Sequence, residues 1–397
     1  MKDLKDKNIV LGVTGGIAIY KALDVISKLK KLGANVDVIM TKNATEFVSP
    51  LTFESMSQNK VISDMFEKVV YWDIEHISLA KKADIFAIIP ATANVVGKIA
   101  NGIADDMLTT TVMATNAKVL IAPAMNTNMY NNPIYKSNEE KLKEFGYNFI
   151  KPEAGRLACG DKGAGKLASS EKIVKRIKYD LLKTDELKGK KVLVTAGPTV
   201  EKIDPVRYIT NHSSGKMGYE VAKAAKMKGA NVTLITGPSN IEKPDVNVVN
   251  VVSADEMYKE AIKYIDYDIV VMAAAVSDYK PKNIFNEKVK KSNDNLTLEL
   301  TRNKDILFEF GKNKKDQILV GFAAESNNLE KYATKKINDK NLDFIIANNI
   351  TNKEAGFKSD NNKALIIDKN NKKDYYDLMK KSKLAKIIID KVIQLKE

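Results

Sequence analysis

KVLVTAGPTVEKIDPVRYITNHSSGKMG, residues 191–218, opens on the apolar run Val192-Leu193-Val194 and stops at Thr195-Ala196-Gly197-Pro198. A long polar loop follows, and Ser213-Ser214-Gly215-Lys216-Met217-Gly218 opens a predicted helix that ends near Lys228. A strand, a glycine-bearing loop and a helix start together present free backbone N–H groups to an anion. The same opening occurs earlier, at Ile9–Lys21 (IVLGVTGGIAIYK). Both times a second apolar strand follows the helix, Val36–Met40 first and Asn231–Thr236 later. The chain thus begins a strand–loop–helix–strand unit twice, which predicts two α/β domains in tandem.

Size agrees, because 397 residues exceed what one hydrophobic core usually serves. A hydrophobic content of 44% and a charged content of 29% are those of a soluble globular protein. The net charge of +14 invites a nucleic-acid reading. However, the only arginines are Arg156, Arg176, Arg207 and Arg302, and the lysines are scattered rather than interleaved with aromatics, so no nucleic-acid partner is expected. Positive potential would instead steer phosphorylated substrates. One cysteine excludes an internal disulfide and a cysteine-based metal cluster, and two histidines leave little for zinc. No apolar run is long enough to span a membrane and the first residues are charged, so a cytoplasmic protein is expected.

In the first half, Gly12, Gly15 and Gly16 give G-x-x-G-G, not the dinucleotide fingerprint. Thr41 also stands where a ribose-binding carboxylate would be wanted. A mononucleotide phosphate needs only N–H groups and such a hydroxyl, although a plain tight turn explains the glycines equally well. Ile85–Pro90 and Val119–Ala122 are predicted strands, ending in Ala91-Thr92-Ala93-Asn94 and Pro123-Ala124-Met125-Asn126. Small residues there let a flat ring approach, at the strand ends where open parallel sheets bind ligands. Taken singly, Asn94 and Asn126 also read as turn formers. His76, in WDIEHIS, is a candidate for catalysis or for a structural contact. Cys159 lies in the glycine-rich LACGDKGAG, more like a lid carrying a proton donor than a buried hydrophobe.

These motifs carry a resemblance. GVTGGIAIYK, PATAN, PAMNTNMY and ACGDKGAGKLA resemble the flavin-dependent cysteine decarboxylases, and NHSSGKMG, AAAVSDYKP, EKVKK, NKDI and GFAAES resemble the phosphopantothenate–cysteine ligases. In this order the chain is similar, over essentially its whole length, to the bifunctional phosphopantothenoylcysteine decarboxylase/phosphopantothenate–cysteine ligases of coenzyme A synthesis. It departs from that pattern at Thr92, Tyr130 and Lys304, where the family has Ser, Trp and Pro. The resemblance implies a bifunctional enzyme. It ligates 4'-phosphopantothenate to L-cysteine with CTP and Mg2+ through an acyl-cytidylate, then decarboxylates the product to 4'-phosphopantetheine with FMN. In the first half it implies that His76 sits near the substrate carboxylate and thiol, that Asn126 holds the carboxylate and that Cys159 protonates the decarboxylated product. FMN contacts would fall at Gly15, Thr41, Ala91, Thr92 and Asn94.

Between the halves, Ser170–Leu182 is predicted as a lysine-rich amphipathic helix running into a short polar linker, which gives domains 1–186 and 187–397. In the second half, Asp268–Ala273 is a predicted strand ending in Ala273-Ala274-Ala275, with Asp278 placed for a nucleotide hydroxyl, a base edge or Mg2+. A hairpin is predicted from Glu287–Lys291 with Leu296–Leu300, and it puts Lys288 and Lys290 on one face. By themselves these lysines read as solvated; the resemblance makes Lys288 the residue that forms the acyl-cytidylate. It adds Asp278, Asn303, Lys304, Asp305, Ile306, Phe322, Lys336 and Lys340 as CTP contacts, Arg207 and Asn211 as residues acting when the cysteine amine attacks, and Asp278 as metal ligand. Lys336 and Lys340, four apart, are expected on one helix face. His212 has no assigned role.

Together these readings predict two three-layer α/β domains. The first is a flavodoxin-like parallel sheet, and the second a Rossmann-like sheet with a β-hairpin extension. The resemblance adds a homo-oligomer, with trimers of decarboxylase domains and dimers of ligase domains closing as a dodecamer. A dinucleotide-dependent oxidoreductase and a non-catalytic flavin- or nucleotide-binding regulator are the competing readings. The glycine spacing and Thr41 count against the first; His76, Cys159 and Lys288 together count against the second.

Overall fold

The computed structural model describes residues 3–65, 74–156, 160, 162–290, 296–325, 328–349 and 359–396. The chain divides into two compact units, Met1–Leu182 and Lys183–Glu397. The polar segment read as a linker is part of the second unit. Thr184 and Leu187 donate N–H bonds to the carbonyls of Met227 and Lys228, 2.8 and 2.7 Å long, at the end of helix Lys216–Met227.

In the first unit the strands are β1 (Asn8–Val13), β2 (Asn35–Met40), β3 (Val61–Ile62), β4 (Ile85–Ala91), β5 (Lys118–Pro123) and β6 (Asn148–Phe149). They pair in the order β3-β2-β1-β4-β5-β6, all parallel. The expected flavodoxin-like parallel sheet is there: β2-β1-β4-β5-β6 is the 2-1-3-4-5 order of flavodoxin, and the two-residue edge strand β3 extends it to 3-2-1-4-5-6. Alternate residues feed opposite cores, as period-two side chains must. Leu11, Val13, Val38 and Ala87 pack with Val25, Ile26, Ile173 and Ile177 from helices Tyr20–Lys31 and Ser170–Leu182. Val10, Ile39, Phe86 and Ile88 pack on the other face with Val95, Leu108 and Leu142. A small antiparallel pair, β7 (Glu153–Arg156) with β8 (Lys162–Lys166), follows.

The second unit repeats the plan. Its strands are β9 (Lys191–Ala196), β10 (Val200–Lys202), β11 (Tyr208–Thr210), β12 (Asn231–Thr236), β13 (Asn247–Asn250), β14 (Ile269–Met272), β15 (Tyr279–Pro281) and β16 (Leu300–Arg302). They continue with β17 (Ile318–Glu325), β18 (Phe344–Asn349), β19 (Asn361–Asp368) and β20 (Lys373–Lys380). The main sheet runs β13-β12-β9-β14-β17-β18-β19-β20, parallel as far as β18 and then closed by an antiparallel hairpin. Val192, Val194 and Ala196 face helices Lys216–Met227 and Lys381–Gln394, while Leu193, Val270 and Leu319 face the opposite core with Met257, Phe310 and Ile337.

The predicted hairpin of Glu287–Lys291 with Leu296–Leu300 is not formed. The two-stranded pair is β15 with β16, Tyr279 opposite Arg302, and 287–290 is irregular; 291–295 lie outside the described residues. Ile284, Leu296 and Leu300 are all exposed, so a ladder there would gain no buried face.

One device recurs at the amino ends of these sheets. Asp84, Asp268 and Asp343 each stand immediately before a strand, and their carboxylates accept the N–H of a residue at the start of the neighbouring strand. The pairs are Asn8 at 2.8 Å, Lys191 at 2.8 Å and Leu319 at 2.9 Å. Burial alone would raise the Asp268 carboxyl, but the Lys191 N–H and the ammonium groups of Lys190 and Lys396 outweigh it and hold it below the ordinary carboxylate range. Asp268→Ala should therefore destabilise the second unit by about 1 kcal/mol at neutral pH, a figure kept small because the carboxylate is partly exposed. A depressed folded-state pKa gives stability that is present above the unfolded value and lost as pH falls through the folded one. The gap between wild type and variant in urea unfolding should thus shrink as pH falls below the ordinary aspartate value of about 3.9; a gap undiminished by further acidification would contradict the linkage.

Candidate active sites

Both candidate sites lie where the parallel strands end. In the first unit, Thr14 follows β1, is fully buried, and links two strand ends. Its hydroxyl donates to the Pro90 carbonyl at 2.7 Å and accepts the Thr92 N–H at 3.1 Å. Thr41 caps helix Lys42–Thr45 by accepting the Ala44 N–H, and Thr92 caps Ala93–Ala100 by accepting that of Val95. Gly15 is fitted against this turn so closely that a Cβ on it would lie 2.7 Å from the Asn43 backbone. The Ala124 N–H reaches the Ala91 carbonyl at 3.0 Å, carrying the chain on to Asn126, which caps Thr127–Asn131. Gly15, Thr41, Ala91, Thr92, Asn94 and Asn126 therefore share the mouth of the sheet, across the point where strand order reverses between β1 and β4.

The β7–β8 hairpin docks on that mouth. The Met125 N–H donates to the Gly165 carbonyl at 3.0 Å. Gly165 has φ +128°, and a Cβ on it would lie 2.3 Å from the Met125 carbonyl oxygen, so only glycine fits. Beneath the hairpin, Thr127 Oγ1 is buried without a partner among the described residues, a polar atom left for a ligand. Cys159, between these strands in sequence, lies outside the described residues. His76 is half-buried in the first turn of helix Glu75–Lys82, packed on helix Met107–Ala114, and no hydrogen bond ties it to the residues above.

In the second unit the β9 and β14 ends are bonded together. Ala273 and Ala274 donate their N–H groups to the Thr195 carbonyl and hydroxyl, both at 3.2 Å, and Ala275 donates to the Gly197 carbonyl at 2.9 Å. Asn211 Nδ2 donates to the Ala275 carbonyl at 3.0 Å. Asn303 joins them through its backbone N–H to the Asp278 carbonyl and its Nδ2 to the Ser277 carbonyl, each 2.8 Å. Ser277 Oγ and Asn303 Oδ1 are buried without partners among the described residues. Facing them, Gly215 caps helix Lys216–Met227 at φ +81°, where a Cβ would sit 3.1 Å from the Gly197 nitrogen, leaving the helix start as an anion cradle.

Asp305 caps helix Ile306–Lys312 through the Phe308 N–H and takes the Lys340 ammonium at 2.7 Å. Lys340 is the C-cap of helix Leu329–Asp339, its N–H still bonded to the Lys336 carbonyl at 3.1 Å, four residues back, and its ammonium turns to Asp305. Phe322 lies on β17, partly buried against the core. Lys304, where the pattern has proline, places its ammonium 4.6 Å over the Tyr258 ring. Asp278 is exposed, and among the described residues no three His, Cys, Asp or Glu side chains gather as a metal site. Lys288 is exposed on an irregular segment.

Sequence reasoning passed over four residues that build these mouths: Thr14, Thr195, Thr199 and Asp204. Thr199 is fully buried and accepts the Ser277 N–H at 3.0 Å. The signal was there in the first three, a threonine just inside or beyond each strand end where an apolar residue would otherwise continue. Asp204 reads in sequence as an ordinary Asp-Pro turn.

Two family models cover the chain: "Flavoprotein" over residues 1–182 and "DNA/pantothenate metabolism flavoprotein C-terminal domain" over residues 187–395. Among curated relatives, the coenzyme A biosynthesis bifunctional protein CoaBC of Bacillus subtilis is 48% identical over 397 residues, covering 99% of this chain and 98% of the relative. That of Borreliella burgdorferi is 48% identical over 390 residues, covering 97% and 98%. The solved C-terminal domain of a CoaBC protein is 39% identical, covers 53% of this chain and 98% of that domain, and superposes with a TM-score of 0.47. Two α/β units in this order, the two family models and identity of this extent along the whole length lead to one conclusion: the chain belongs to the family of coenzyme A biosynthesis bifunctional proteins.

Proposed function

We propose that the two units catalyse consecutive steps. Residues 183–397 join 4'-phosphopantothenate to L-cysteine at the expense of CTP, and residues 1–182 decarboxylate the 4'-phosphopantothenoylcysteine so formed to 4'-phosphopantetheine. The observation that supports this reading is the pair of strand-end mouths, each gathering small and amide motif residues around buried polar atoms that have no partner among the described residues.

In the second unit the substrate carboxylate attacks the α-phosphorus of CTP, pyrophosphate leaves, and an acyl-cytidylate forms. Lys288 supplies positive charge to the transferring phosphoryl group. The helix start at Gly215 and the lysines Lys336 and Lys340 take the phosphates, and Ala273–Ala275 with Phe322 make room for the base. Asn303, Lys304, Asp305 and Ile306 form the adjoining turn. Asp278 would be the carboxylate that this chain offers to a Mg2+, which would neutralise triphosphate charge. The cysteine amine then attacks the acyl carbon and CMP leaves. Asn211, anchored through Nδ2, keeps Oδ1 to accept from that amine. Arg207 stands beside the reacting groups in the same step.

In the first unit, bound FMN supplies the two-electron exchange that lets an unactivated carboxylate leave as CO2. Gly15 and Thr41 border its phosphate, while Ala91, Thr92 and Asn94 line its ring. Asn126 holds the substrate carboxylate, His76 acts beside the carboxylate and thiol, and Cys159 returns a proton to the product. The residues fit such a group: Thr127 Oγ1, beneath the docked hairpin, is a buried polar atom with no partner among the described residues. A homo-oligomer supplies what one chain lacks around His76. Exposed Ile17, Tyr20, Leu51 and Met129 give a trimer of these units apolar surface to cover, and dimers of the second unit would close a dodecamer. The cytoplasm is the compartment, consistent with the lack of any helix, among the described residues, long and apolar enough to cross a membrane.

Incubation with phosphopantothenate, cysteine and CTP should release pyrophosphate and CO2 together. His76→Asn should cut CO2 release by about a hundredfold or more and leave pyrophosphate release intact. Loss of both would point instead to a folding defect. Cys159→Ser should still release CO2 but accumulate an oxidised, decarboxylated product, detectable by mass spectrometry. Gly165→Ala, which lifts the β7–β8 hairpin from Met125, should slow decarboxylation by about tenfold or more without loss of bound FMN.

A further inference from the structure

Asp204 has a fully buried side chain, although it lies in the polar loop between β10 and β11. Every contact it makes is part of one clamp. One carboxylate oxygen, Oδ1, accepts the N–H groups of Val206 and Arg207 at 2.8 and 2.7 Å, closing an Asx turn. The other, Oδ2, pairs with the Arg207 guanidinium at 3.0 Å and accepts the N–H of Val289 at 3.2 Å. Arg207 completes the clamp from the other side by donating to the Val289 carbonyl. A third tie lies just upstream, where the Phe285 N–H reaches the Ile203 carbonyl at 2.9 Å. The segment 285–289 is therefore held at both ends of its backbone by the 203–207 turn, and Lys288 is the residue next to the clamped one. Among the described residues the segment has no ladder partner to hold it otherwise.

We propose that Asp204 is a positioning residue for acyl-cytidylate formation: it fixes Arg207 and the Val289 peptide so that the Lys288 ammonium is presented to the transferring phosphoryl group. This rests on the role given to Lys288 above. A carboxylate suits the task because one oxygen organises its own turn while the other accepts from the distant loop and neutralises the arginine. An amide at this position would turn an NH2 toward the Val289 N–H and the guanidinium, setting donor against donor.

The test uses the full-length protein with CTP and 4'-phosphopantothenate, without cysteine, and follows pyrophosphate in a single turnover. Asp204→Asn should slow pyrophosphate release by about tenfold or more, while the Kd for CTP stays within about threefold, because a group lost only from the transition state lowers the rate and not ground-state binding. Val289→Pro removes the N–H on the other side of the same bond and should reproduce this split even if Asp204→Asn fails to fold. A merely structural role would lower the amount of competent protein, and so the burst amplitude, without changing the rate constant. Normal rate constants in both variants, beside an inactive Lys288→Gln, would overturn the positioning role and leave the reading of Lys288 standing. A fully active Lys288→Gln would overturn that reading and the role of Asp204 with it.

Discussion

The central strands of both units are buried on both faces, so a charged side chain cannot leave the sheet sideways without giving up its water. Val10 and Leu11, or Leu193 and Val194, point to opposite cores and are alike fully buried. Asp37, an exception within β2, is nearly buried and takes the Lys82 ammonium at 2.7 Å. Polar groups are consequently driven to the two edges where strands begin and end, and the edges divide the work. At the amino edge, Asp84, Asp268 and Asp343 tie neighbouring strands together. At the carboxyl edge the residues are small or carry hydroxyls, and the buried oxygens of Thr127, Ser277 and Asn303 have no partner there among the described residues.

That division explains how much of the fold could be read from the sequence. A strand buried on both faces is an unbroken apolar run, so β1, β9 and β12 were visible to within a residue or two, as were helices Ser170–Leu182 and Lys216–Met227. The strand β3, only two residues long, has no such run and left no trace. The hairpin expected around Lys288 failed for the opposite reason. Alternation of Lys288, Val289 and Lys290 looks like a strand, yet alternation signals a strand only where one face has a core to cover, and here none exists.

The candidate sites were legible in their small and amide residues and illegible in their supports. Ala273, Ala274 and Asn211 stand out because they interrupt apolar runs at a predictable place. Thr14 and Thr199 act through a single hydroxyl that joins two chain segments 76 and 78 residues apart. No local pattern encodes a bond of that sequence separation. Asp204 is harder still, because the turn it makes locally is sufficient reason for an aspartate, and its second oxygen spans 85 residues to Val289. The ion pair of Lys340 with Asp305 likewise depends on where helix Leu329–Asp339 stops, a single-residue matter on which periodicity is silent.

The clamp on Val289 also bears on why a lysine suits the role proposed for position 288. A lysine side chain is a flexible stem ending in a compact charge, and ordering it costs about 2 kcal/mol of rotamer entropy. Fixing the stem through its own contacts would incur that cost in every state of the enzyme, including the one awaiting substrate. Asp204 and Arg207 instead hold the main chain one residue away and leave the Lys288 side chain exposed. The ammonium is then confined to a small volume by its tether while its rotamers stay free until a phosphate selects among them. In the role proposed for it, the charge can follow the α-phosphorus as its bond to pyrophosphate is exchanged for one to the acyl carboxylate, which a rigidly bonded arginine fork could not do as readily.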